Sequence, residues 1–184
     1  EAGNIDSLDA IWQVLSDKSL NYHSEASMEH NSLRVGFGEG QMWRSIAARL
    51  QSAEARQAEM TSVLLRDGGS NFAMAATIKE PSAVYYLDEA GSLEKAELGR
   101  GGLYFYIRAQ KIAGARGVAR VQVMPIFSAS AQPRDRTTPI QLAMSRKFSD
   151  LAFEVEQMSP GQFVVIGPEG KAMGDLTITG ALFS

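Results

Sequence analysis

With 184 residues, 45% of them hydrophobic and 21% charged, the chain can bury a sizeable core and is not disordered throughout. A net charge of −3 with scattered Lys and Arg offers no basic face, so nucleic acid and anionic lipid are not expected as partners. The lack of cysteine excludes disulfides, thiolate catalysis and cysteine-ligated metal.

In chain order, Ser7 is placed to cap a short helix, LDAIWQVL, with Leu8, Ile11, Trp12 and Leu15 along one apolar side. Two short extended segments follow, LNYH and SLRVGF, joined by the polar stretch SEASMEHN. After the glycines of GFGEG, residues 41 to about 65 read as a longer helix. Met42, Ile46, Leu50, Ala53, Met60 and Leu64 recur there at helical steps, within a stretch rich in Ala, Glu, Gln and Arg.

From RDGGSN onward the apolar period changes to two. FAMAATIK reads as a strand stopped by Pro81, which lacks a ladder donor, and AVYYL as another before the turn DEAGS. In LYFYIRAQ, Leu103, Phe105, Ile107 and Ala109 oppose Tyr104, Tyr106, Arg108 and Gln110. GVARVQVMPIF sets Val121 and Val123 against Arg120 and Gln122, and LAFEVEQ sets Leu151, Phe153 and Val155 against Glu154 and Glu156. Strands wet on one face belong to antiparallel sheets. SASAQPRDRTTP, residues 128 to 139, reads as an exposed loop.

At the end of the chain, Pro160-Gly161 forms a turn pair leading into FVVI. That run is apolar on both faces, so a central strand is expected, closed by Gly167-Pro168. LTITGALF then alternates as a last strand, completing a hairpin that buries Phe163, Val165, Leu176, Ile178 and Phe183. The expected fold class is α+β: a helical N-terminal part, then a mainly antiparallel β-sheet or sandwich. The expected division is a helix–strand–strand–helix region over residues 1–66 and a β-rich region over residues 67–184, the two able to pack as one domain.

The residues suggest little chemistry. LRVGFGEGQMWRSIAARL puts glycines between a strand and a helix, as a phosphate loop would. It lacks the Lys-Ser/Thr pair and the dinucleotide spacing, and Glu39 would repel phosphate, so a glycine-rich turn is the plainer reading. His23 and His30, beside Glu25 and Glu29, have no further ligands at a metal-binding spacing. No GxSxG elbow is present. Neither a catalytic residue nor a metal or cofactor is therefore assigned. Glu154 and Glu156 share a strand face and could serve a small hydrolase or carbohydrate-active enzyme, as could the Arg134–Arg136 segment. Strand alternation on a solvated face also produces such pairs. Tyr104, Tyr106 and Arg108 form an aromatic and cationic stripe suited to binding, or else a half-covered sheet face.

SPGQFVVIGPEG followed by GDLTITGALFS resembles the closing motif of secretins, the ring-forming outer-membrane channels of bacterial secretion and pilus systems. KEPSAVYYLDEAGS is similar to that family's strand–Pro-Ser–strand–Asp hairpin, and RVQVMPIFS to its Val-x-Pro-Ile strand. SLDAIWQVLSDKSLNYH, NSLRVGF and QMWRSIAARL together resemble the small domain that precedes many secretin channels. Pro168 stands where the family carries a second glycine, and the ring-building domains are missing. The resemblance implies a soluble envelope protein on a secretin-like β-fold rather than a pore subunit.

No apolar run reaches the roughly 18 residues of a membrane-crossing helix, so no transmembrane helix is expected; β-barrel strands escape this argument. The sequence opens at Glu1 rather than Met, with no signal-like segment after it. Together with the missing cysteine, this leads us to expect an exported protein, periplasmic or secreted, whose leader is absent from this chain. The expected function is non-enzymatic binding or assembly in the bacterial cell envelope, with a protein partner or self-association. The alternatives are the small enzyme above and a structural domain.

Overall fold

A computed structural model describes residues 10–52, 67–129, 145–169 and 176–183. Its centre is the pair of long strands β6 (Gly101–Lys111) and β7 (Ala119–Ala129), antiparallel in register from Gly101↔Ala129 to Lys111↔Ala119. The chain reverses between them through Gly114 and Gly117, both at φ near +80° (81 and 77), a region costly for side-chain-bearing residues. On β6, Leu103 and Ala109 are buried while Arg108 and Gln110 are exposed. On β7, Val121 and Val123 are buried while Arg120 and Gln122 are exposed. The two-residue period therefore marks a dry and a wet face, as expected.

β3 (Ser70–Ile78) pairs with β6, β9 (Phe153–Met158) and the short β8 (Arg146–Lys147) pair with β7, and β1 (Leu20–Tyr22) pairs with β9. These make a six-stranded sheet, all of whose pairings are antiparallel. Two ribbons accompany it: β2 (Leu33–Glu39) with β10 (Gln162–Pro168), and β4 (Ser82–Leu87) with β5 (Leu93–Leu98). One hydrophobic cluster joins Leu103, Val123 and Phe153 of the main sheet to Val35 and Phe37 of β2, Val84 of β4 and Leu98 of β5. The class is thus α+β, mainly antiparallel. Both early strands, β1 and β2, find partners near the other end of the chain.

Several expectations change. The polar stretch SEASMEHN is not a plain connection. Glu25–His30 form helix α1, whose N-cap Ser24 accepts from the Ser27 amide at 3.1 Å, and Met28 enters the core. Gly36 and Gly38 stand within β2 rather than in a turn or phosphate loop. A Cβ there would lie 2.6 Å from Leu15 or 2.5 Å from Phe163, so glycine allows close packing. The long helix is α2 (Trp43–Ser52) as far as it is described, preceded by a 3-10 turn over Gly40–Met42; its expected continuation lies outside the described residues. Leu151 is buried from a 3-10 turn and not from a strand.

Among the described residues β10 pairs with β2 alone, so FVVI is not central to the main sheet. Its second apolar side is explained by neighbours: Trp43 packs edge-on against Phe163 at 5.4 Å, and the Trp12 ring lies 3.0 Å from where a Gly167 Cβ would stand. The last predicted strand is a helix. Ile178–Leu182 form α3, where Thr177 caps by accepting from the Gly180 amide at 3.0 Å and all five helical residues are buried. Leu176 and Phe183, expected in the core, are exposed. Alternation over four residues is too short to separate strand from helix, and burial on every side decided for the helix. LEKAEL, β5, gave no sequence reading: Leu93 is 68% exposed and its charges mask the alternation.

Candidate functional site

Cross-strand neighbours share a face, so the Tyr104 side of the main sheet can be laid out by rows, wet toward Arg108 and closed over at Ile126, which is fully buried. One row runs Met74, Tyr104, Ile126; the next Phe72, Tyr106, Met124; the third Ser70, Arg108, Gln122, Glu154, Asn21. Tyr104, Tyr106 and Arg108 therefore lie on one face. Tyr104 and Tyr106 are half-buried and Arg108 is exposed. The Tyr104 ring lies back along its own strand, 2.6 Å from the place a Gly102 Cβ would occupy. Tyr106 stands against Phe72, with ring centroids 5.5 Å apart and planes tilted by 47°.

Tyr106 also lines a cleft of about 460 Å³, with Met124 beside it and Asn21, His23, Gln122, Ser149 and Glu154 as polar groups. Tyr104 and Arg108 are not among its lining residues. The cleft thus draws on the expected stripe at Tyr106 and on the alternative carboxylate at Glu154. Both Glu154 and Glu156 are engaged within the sheet. Glu154 pairs with Arg120 at 3.1 Å and accepts from Gln122 Nε2 at 2.9 Å, while Glu156 accepts from Asn21 Nδ2 at 2.7 Å. Arg134 and Arg136 lie outside the described residues. His23 lines the cleft and His30 lies near Gly91, on separate parts of the surface. Among the described residues no group of three or more His, Asp or Glu is arranged to hold a metal ion.

A second cavity, about 390 Å³, was not foreseen. Trp12, Asp17, Tyr22, Glu25, Glu29 and Arg34 line it, over a floor that includes Met28, Leu33 and Val35. Arg34 sits 5.3 Å above the Trp12 ring and 3.4 Å from Glu169. Burial raises the Tyr22 pKa above its usual 10.0, with help from the negative charges of Asp17 and Glu25 and partial opposition from Arg34. The sequence did hold a signal: Glu25 and Glu29 fall four apart in SEASMEHN, the spacing of one helix face, but the segment is too short to show a period.

Fold and surface together define an α+β protein with a clefted antiparallel sheet and no helix, among the described residues, long and apolar enough to cross a membrane. Compared with protein-family models, curated proteins and solved structures, the chain matches none.

Proposed function

We propose that the chain is a non-enzymatic assembly protein of the bacterial cell envelope, periplasmic or secreted, that associates with its own kind through one margin of the main sheet. The observation that carries this reading is β3. Its nine residues, SNFAMAATI, hold no charge, and among the described residues it pairs with β6 alone. Free strand edges are usually guarded by Lys, Pro or inward charges, because an open ladder recruits another strand. Here the edge is continuous with the Phe72–Tyr106 and Met74–Tyr104 rows, and Met74 is 58% exposed. The secretin-like order of motifs supports the envelope location. Engagement of Glu154 and Glu156 in cross-strand contacts favours binding over hydrolysis.

Sedimentation velocity over a rising concentration series tests this. The expected result is a reversible monomer–oligomer equilibrium, weakened by Met74→Lys and by the double change Tyr104→Ser, Tyr106→Ser. Circular dichroism would verify that the variants remain folded. A chain that sediments as a monomer at every concentration overturns the reading.

A further inference from the structure

The second cavity runs beside an unfinished strand edge. Phe37 exchanges both its backbone hydrogen bonds with Ser16, at 2.8 and 2.9 Å, so its amide and carbonyl point away from β10. In an antiparallel ladder this direction alternates along the strand, and the β2–β10 register has no slip. Val35 and Leu33 must therefore turn their amides and carbonyls to the same side as Phe37. Pro168, which has no N–H, stands opposite Leu33 and agrees with this assignment. Both residues line the cavity. Val35 is 4% and Leu33 3% exposed, yet among the described residues only one long hydrogen bond reaches these groups, from Tyr22 Oη to the Val35 carbonyl at 3.4 Å. Buried backbone polar groups without partners are rare in folded proteins.

The remaining walls specify a side chain. Asp17, Glu25, Glu29 and Glu169 face a single guanidinium, Arg34, which is already taken up by Glu169 and Trp12. None of Asp17, Glu25 and Glu29 forms an ion pair among the described residues. Below them lie the apolar side chains of Met28 and Val35. Such a lining suits a cation carried on an apolar stem.

We infer that this cavity is a docking slot for an extended segment of a partner protein carrying a lysine or arginine. The segment continues the ladder that Ser16 begins, pairing with Val35 and Leu33, and its basic side chain enters between Tyr22 and the carboxylates of Asp17, Glu25 and Glu29. Strand addition supplies affinity through the main chain, and the pocket supplies selectivity through charge. The slot is independent of the β3 margin, so loss of self-association would leave it intact.

Fluorescence anisotropy with a labelled pentapeptide Thr-Val-Lys-Val-Thr provides the test, alongside the same peptide with Glu in place of Lys, a version N-methylated on its backbone amides, and n-butylammonium as competitor. The Lys peptide is expected to bind with an affinity that falls as salt rises, and the Glu and N-methylated peptides to bind at least about tenfold more weakly. Asp17→Asn with Glu29→Gln should weaken the Lys peptide by about tenfold; both positions are exposed, so the fold should survive. Amide exchange at Val35 should slow when the peptide binds. The inference is overturned if no peptide binds, if the Lys and Glu peptides bind alike, if n-butylammonium competes as well as the peptide, or if binding leaves the Val35 amide unchanged.

Discussion

Thr179 Oγ1 donates to the backbone carbonyl of Asn31 at 2.5 Å, across 148 positions of sequence, with both residues buried. The Asn31 side chain carries the connection further. Its Nδ2 donates to the carbonyls of Ser27 and Leu87, and its Oδ1 accepts from the Leu87 amide. One residue thus joins α1, the β4–β5 ribbon and the terminal helix α3. Asn31→Ala would remove three hydrogen bonds and leave Leu87 unsatisfied in a partly buried site, costing about 2–3 kcal/mol. Thr179→Val keeps the shape and strands only the Asn31 carbonyl, at about 1–2 kcal/mol. Urea unfolding of both variants measures the difference, and the alanine change should be the larger.

A pair of glycines two residues apart should respond very differently to a methyl group. A Cβ at Gly101 would run into the backbone carbonyl of Ser128 on the neighbouring strand, and backbone cannot rotate aside as a side chain can. At Gly99 a Cβ would meet nothing within 4 Å, and the backbone there is not left-handed. Gly101→Ala should lose about 1–3 kcal/mol. Gly99→Ala should be neutral, or gain up to about 0.5 kcal/mol by restricting the unfolded chain. Thermal unfolding of the two single variants reads both values.

The contrast between legible and illegible elements follows from how far each depends on its neighbours. β6 and β7 are long, and Arg108, Gln110, Arg120 and Gln122 mark the wet face by identity, whereas Ile126 is buried on that same side. α1 was hidden because its six residues bury only Ser27 and Met28, too few for a helical period. β10 reads as central because Trp12 and Trp43 cover a side that no described strand covers. Placing Tyr104, Tyr106 and Arg108 on one face needed only the period of two. The cleft at Tyr106 also draws on His23 and Ser149 from separate connections. The second cavity depends on where Ser16 leaves β2, which no local pattern encodes.

Tyr22 should make the fold sensitive to alkali. Burial first, then Asp17 and Glu25, raise its folded-state pKa above 10.0. The folded protein therefore holds the phenol proton more tightly than the unfolded chain does. That contribution is fully present below about pH 10, and is lost as pH rises from there through the folded-state pKa. Tyr22→Phe removes the titration and sacrifices only the long bond to Val35. Near neutral pH the two proteins should differ by less than about 1 kcal/mol. Above about pH 10 the native protein should lose stability faster than the variant, as followed by urea unfolding at stepped pH.

The end of the chain offers the sharpest separation between its sequence pattern and its structure. As a strand, Leu176 and Ile178 would point to one face and share its burial. Instead Ile178 is fully buried at the start of α3, while Leu176 is 61% exposed just before the cap. Leu176 contributes through its backbone, whose carbonyl accepts from the Tyr85 amide at 2.8 Å, and a side-chain truncation leaves that bond in place. Ile178→Ala should therefore cost about 2–5 kcal/mol through lost burial and the cavity left behind. Leu176→Ala should stay within about 0.5 kcal/mol of the native protein. Equal losses in the two variants would mean that a helix is the wrong description of residues 178–182.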